Sequence, residues 1–129
     1  MIVVGYTPDK YGRAALEHGI AEAKAHGTEV TVVNASKGDA LADPHFADSA
    51  AVDQLQSTLE SSGVPFTVEQ DTTTDPVEAL LTAMEKPDAD VLVIGIRHRT
   101  PVGKLLMGST AQRILLTCPK PVLAVKPED

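Results

Sequence analysis

Short runs rich in Val and Ile alternate along the chain with longer stretches whose apolar residues recur at three and four positions, and this alternation predicts a doubly wound α/β fold. The runs at 2–4, 30–33 and 91–94 are almost uninterrupted by polar residues, as strands covered on both faces require, so the sheet is expected to be mostly parallel. At 129 residues and 13.6 kDa the chain has room for a single domain, 1–129, whose core needs neither disulfide nor structural metal. The expected architecture is one five-stranded sheet with helices on both faces.

Each element has its own signal. The run IVVG at 2–5 is too short for a helix and ends on glycine, which suits a central buried strand. From Asp9 to Ala25, Ala14, Leu16, Ile20, Ala21 and Ala23 form an apolar stripe that stops at His26-Gly27, with Gly27 as the C-terminal glycine. Residues 29–35 hold the second strand, and the polar stretch Ser36 to Phe46 is expected to be a surface loop. Asp48 is placed to cap a helix through Ser61 in which Val52, Leu55 and Leu59 recur, before Ser62-Gly63 ends it. A third strand starts at Pro65-Phe66-Thr67-Val68. Asp75-Pro76 pairs an N-cap with proline at the first helical position, ahead of Val77, Leu80, Leu81 and Met84. VLVIG at 91–95 is the fourth strand, and after a long loop Ser109 is expected to cap a helix carrying Ala111, Ile114 and Leu115 that Pro119 ends. The fifth strand is 121–126, with its proline at the start.

Composition excludes several functions. No apolar run approaches the roughly 20 residues of a membrane span, and the N-terminal stretch has neither a secretory nor a transit pattern, so a cytoplasmic location away from membranes is expected. A net charge of −7 and 3% aromatic residues argue against nucleic acid as a partner. The lone Cys118 offers no disulfide or CxxC pair, and His18, His26 and His45 have no partners at metal-ligand spacing, so no metal site is assigned. Asp88 and Asp90 precede a strand and are read as turn residues. There is no GxSxG elbow and no Walker motif, and no catalytic residue is assigned. The charge is nevertheless segregated: residues 1–90 carry 16 acids and 5 bases, whereas 91–127 carry six bases and no acid. The bases Arg97, Arg99, Lys104 and Arg113 cluster after the fourth strand, which points to a bound anion.

In open α/β sheets ligands bind beyond the carboxyl ends of the strands where strand order reverses, so the candidates follow Gly5, Ala35 and Gly95. After Gly95 the chain reads IRHRTPVGKLLMGSTAQR, a basic loop and then Gly108-Ser109-Thr110 opening a helix. Free N–H groups in a first helical turn hold phosphate oxygens, and the two hydroxyls could add donors.

The spacing of Gly95, two residues, His98, nine residues and Gly108-Ser109, with Arg97, Arg99, Leu105-Leu106 and Pro121-Val122-Leu123, resembles the closing signature of the universal stress protein family. The opening IVVGYTPDKYGRAALEHGIAEA resembles the family's first strand and helix, so the likeness covers essentially the whole chain. It implies the adenine nucleotide alpha hydrolase-like architecture, a homodimer joined through the last strand, and a stress-response regulator that acts on a protein partner not identified by the sequence. It also implies either an ATP-binding or a non-binding branch. In the binding reading Gly95, Gly108, Ser109 and Thr110 would hold ribose and phosphates, with Mg²⁺ allowed beside them. Arg97 and Arg99 would neutralise charge, and Thr7 and Ala35 would border the base. Two positions depart from the family pattern. Thr7 stands where binders carry aspartate, and His98 stands at the signature's second glycine, where its imidazole would fill space or, when protonated, donate to a phosphate. The alternative is therefore a dimeric interaction protein that binds no nucleotide. A third reading is slow ATP hydrolysis with His98 beside the γ-phosphate.

Overall fold

A computed structural model of the protein describes residues 1–37, 43–97 and 108–128. Its elements are β1 (Ile2–Gly5), α1 (Lys10–His26), β2 (Val30–Ala35), α2 (Ser49–Ser62), β3 (Phe66–Asp71), α3 (Pro76–Met84), β4 (Val91–Gly95), α4 (Ser109–Thr117) and β5 (Val122–Val125). The five strands form one sheet in the order β3-β2-β1-β4-β5, every neighbouring pair parallel. The chain thus steps outward from β1 to β3, returns across the sheet to β4, and ends on the opposite edge.

Period-2 alternation in the strands divides the core in two. Ile2 and Val4 of β1 pack with Ala15, Leu16, Leu55 and Leu59 of α1 and α2. Val3, between them, packs with Leu80, Met84 and Ile114 of α3 and α4 on the other face. Central strands buried on both sides therefore favour apolar residues, which accounts for their nearly uninterrupted runs; the polar Thr31 and Asn34 of β2 are buried with hydrogen-bond partners.

The caps agree with the chemistry of their residues. Asp9, Asp48 and Asp75 each accept from a first-turn amide, at 3.0 Å from Gly12, 2.9 Å from Ala51 and 3.1 Å from Val77. Gly27 ends α1 in the left-handed conformation at φ 63°, where a side chain would be strained. Small residues bring α1 close to the sheet: a Cβ on Gly19 would lie 2.3 Å from Val4 Cγ2, and one on Gly12 only 1.7 Å from the Thr7 carbonyl oxygen.

Two sequence expectations need correction. The cap of α4 is Gly108, which makes no side-chain hydrogen bond; Ser109 is the first helical residue, one position past the place from which a hydroxyl folds back onto a free amide. The described parts of the stretch after β2 are not simply a surface loop, while 38–42 lie outside the described residues. Ser36 is 2% exposed, Lys37 bridges Thr73 beside the sheet, and 43–47 returns against the strand ends because Asn34 holds it there. No helix among the described residues is long and apolar enough to cross a membrane.

A candidate nucleotide cleft at the strand-order switch

β1 is followed outward by β2 but neighbours β4 on its other side, and α1 and α4, the helices after β1 and β4, pack on opposite faces, so a cleft opens at the carboxyl ends of these two strands. Its volume is about 490 Å³, within the range of small-molecule sites. Val33, Ala35, Leu80, Ile94 and Ile114 supply apolar surface, and Thr7, Gly95, Arg97, Gly108, Ser109 and Thr110 line the same space. Of the sequence-predicted residues that are described, these converge, whereas Arg113 does not line the cleft and lies 3.6 Å from the Asp75 carboxylate instead; His98, Arg99 and Lys104 lie outside the described residues.

The β4 side is a donor pole. The first backbone bond closed by α4 is from Gln112 N–H to Gly108 O, at 3.1 Å, so the amides of Ser109, Thr110 and Ala111 precede any intrahelical partner. Gly108 supplies no side-chain cap, and among the described residues nothing accepts from these amides, at the positive end of the helix dipole. A Cβ added at Gly108 would meet none of the described residues within 4 Å. Arg97, exposed at the end of β4, adds a full positive charge.

Gly95 has a different role from close approach to a ligand alone. A Cβ there would lie 2.3 Å from the Tyr11 carbonyl oxygen, so its missing side chain admits the backbone of α1. At the end of β1, Thr7 Oγ1 donates to Asp9 Oδ1 at 2.7 Å, and the same oxygen caps α1. With its proton given to Asp9, the Thr7 hydroxyl has only acceptor capacity left for a ligand in the cleft it lines. Tyr6 lines the cleft too, and burial raises its phenol above the ordinary value, keeping it neutral.

The β2 side is an acceptor pole that sequence reasoning did not assign. Asp43 and His45 line the cleft from the segment before α2. Asp43 Oδ2 accepts from Ser36 Oγ at 2.7 Å and Oδ1 from His45 N–H at 2.9 Å, and these bonds hold its carboxyl below the usual range. The His45 ring lies against it, Nδ1 3.5 Å from Oδ1. Behind them, Asn34 Nδ2 donates to Tyr6 O at 2.8 Å and His45 O at 3.0 Å, while its Oδ1 accepts from Ala47 N–H at 2.8 Å and Gln70 Nε2 at 3.1 Å. Asp88 and Asp90 stand at the other end of the sheet, where Asp90 Oδ2 accepts from the Met1 amine at 2.6 Å.

The model of the universal stress protein family matches residues 1–126. The chain belongs to this family. It is 61% identical to a universal stress protein of Mycolicibacterium smegmatis, over 98% of both chains. The fold agrees with solved universal stress proteins: one from Archaeoglobus fulgidus superposes with a TM-score of 0.78 at 26% identity, covering 97% of this chain and 96% of that one. Two further structures share the fold, one in complex with cAMP (TM-score 0.71, 21% identity, 96% and 94% covered) and an A. fulgidus universal stress protein in complex with dAMP (0.67, 20%, 97% and 95%).

Proposed function

We propose that the cleft binds an adenine nucleotide, ATP or a close relative, and that occupancy regulates the affinity of this universal stress protein for a protein partner in the stress response. The observation that carries the reading is the uncapped first turn of α4 opening into a cleft with apolar walls. The cAMP and dAMP complexes of two proteins with this fold support it. Gly108, Ser109 and Thr110 would hold the phosphates, and Mg²⁺, where bound with the nucleotide, would offset part of their charge. Arg97, with Arg99 and His98 of the following loop, would offset the charge. Gly95 would border the sugar, and Thr7 and Ala35 the base.

Calorimetric titration of nucleotide-free protein with ATP, ADP and AMP, with and without Mg²⁺, tests the reading once mass spectrometry has shown what the purified protein carries. Micromolar affinity is expected. No heat, together with no co-purified nucleotide, would overturn it.

A second reading is favoured by the two carboxylates, Asp9 and Asp43, that line the same cleft and oppose a polyphosphate. In that reading the protein binds no nucleotide and works as a dimeric interaction module. Glycine at position 98 should then create nucleotide binding, whereas a chain already competent should gain little. In either reading we propose a homodimer through β5, because that strand is an edge whose outer backbone groups lack a neighbour in the sheet. A cytoplasmic location fits both readings.

A further inference from the structure

The cleft is bipolar. One wall presents backbone N–H groups and Arg97, and the wall across the switch point presents the carboxylate of Asp43. An ionised carboxylate accepts hydrogen bonds and donates none. The end of a ligand that meets it must therefore carry donors and no negative charge of its own.

Asp43 is built into this wall. Among the described residues, Oδ2 accepts from Ser36 Oγ and Oδ1 from His45 N–H, with the His45 Nδ1 3.5 Å from the same Oδ1; a carboxylate offers about four lone-pair sites, so acceptor capacity remains for a ligand, most clearly on Oδ2. The segment that carries it is fixed from behind. The Asn34 amide, 2% exposed, uses both of its donors and both lone pairs, and three of the four bonds reach His45 O, Ala47 N and Gln70 Nε2. Gln70 Nε2 also donates to Ala47 O at 3.0 Å. A carboxylate held this way needs little reorganisation when a ligand arrives.

We propose that Asp43 recognises the sugar of the bound nucleotide by accepting hydrogen bonds from the vicinal hydroxyls of a ribose, so that the cleft selects ribonucleotides over deoxyribonucleotides. The inference rests on the nucleotide reading above. Two hydroxyl donors side by side suit the acceptor capacity that the carboxylate keeps beyond its bonds to Ser36 and His45. The sugar fits better than the base because the Asp43 and His45 side chains are 29% and 67% exposed, at the rim, whereas Val33, Ala35 and Ile94 supply buried apolar surface for a ring. Phosphate belongs at the opposite pole, since Asp43 would repel it.

The test is calorimetric affinity for AMP, 2′-deoxy-AMP, 3′-deoxy-AMP and IMP, on the wild type and on Asp43→Asn, with thermal midpoints recorded for both. The wild type should bind AMP about tenfold or more tightly than either deoxy analogue, the scale of a hydrogen bond to a charged acceptor. Asp43→Asn should weaken AMP by a similar factor and bring AMP and its deoxy analogues to equal affinity. Equal wild-type affinities for AMP and both deoxy analogues would overturn the inference, and this measurement stands even if the variant does not fold. Discrimination that survives in Asp43→Asn would overturn it too, as would a variant that loses preference for AMP over IMP in its place, which would assign the carboxylate to the base. In these cases nucleotide binding itself stands. A wild type that binds none of the four, nor ATP or ADP, overturns the nucleotide reading and this inference together.

Discussion

Asn34 sits where the sequence shows only the end of an apolar strand, yet it joins the ends of β1, β2 and β3 to the segment before α2. Its replacement by alanine would leave Tyr6 O, His45 O and Ala47 N–H without the partner they have at 2.8–3.0 Å. Buried polar groups deprived of partners cost about 1–3 kcal/mol each, and partial access to water after local opening limits the sum. Asn34→Ala should therefore lower unfolding stability by about 3 kcal/mol in urea and speed amide exchange across 43–48. Unchanged exchange there would remove its holding role. Glycines act at the same scale through the atoms they omit. Gly12 and Gly95 admit backbone at distances where no Cβ fits, Gly12 against Thr7 and Gly95 against Tyr11, so helix and cleft floor are set by a contact between main chains. The hydroxyl of Thr7 shows why residue type alone misleads: with its proton directed to Asp9 it offers the cleft a lone pair.

At the scale of elements, three helices begin on a capping aspartate and the fourth, which faces the cleft, begins on Gly108 without a cap bond. A cap placed there would compete with any anion for the same amides. Gly108→Asp should leave folding stability unchanged or raise it by a few tenths of a kcal/mol, while weakening nucleotide affinity by tenfold or more. Loss of stability and affinity together would instead mean that the turn had collapsed, and unchanged affinity would separate α4 from the phosphates. How much of this was legible in the sequence follows from the range of each interaction. Local signals were readable: β-branched runs, the caps at Asp48 and Asp75, and the terminal Gly27 all depend on residues within one turn. The cleft position was readable from strand alternation and the glycine-rich helix start, and the resemblance added Thr7; Thr7, Ala35, Gly95, Arg97 and Gly108–Thr110 do share the cleft, while Arg113 does not. The acceptor wall was not. Ser36, Asp43 and His45 looked like a solvated loop because what gathers them is Asn34 and Gln70, 36 residues apart in sequence. Ser109 was displaced as a cap by one residue, since the turn from loop to helix is decided by backbone that composition does not mark.

For the molecule as a whole, the outer edge of β5 and the acidic balance set the remaining expectations. In a parallel ladder, a residue whose carbonyl accepts from the neighbouring strand also directs its N–H there. Pro121 O and Val125 O accept from Leu92 and Ile96, which leaves the alternate Ala124 N–H directed outward. Ala124→Pro would then remove an edge donor without breaking the β4–β5 ladder. For the proposed dimer, light scattering should show a dimeric wild type and a variant shifted toward monomer; a variant as dimeric as the wild type would move the interface away from this edge. The acid limb of stability belongs to the same scale, because 18 carboxylates against 11 bases leave the fold exposed to protonation. Asp43 is held below its usual pKa by the Ser36 hydroxyl and the His45 amide, and Asp71 by the Thr73 amide with the Thr73 and Thr74 hydroxyls. In the unfolded chain both return to about 3.9. The unfolded state therefore binds protons at higher pH than the native state, so these groups support the fold fully above that value and lose their effect as pH falls through the lower native values. Thermal midpoints should not change through Asp43 and Asp71 between about pH 6 and 8, and should fall below about pH 4. Ser36→Ala removes the largest influence on Asp43, so its native pKa should rise toward the unfolded one and the acid decline should become shallower. An acid limb identical to that of the wild type would show that the Ser36 bond does not hold the carboxylate in its charged form.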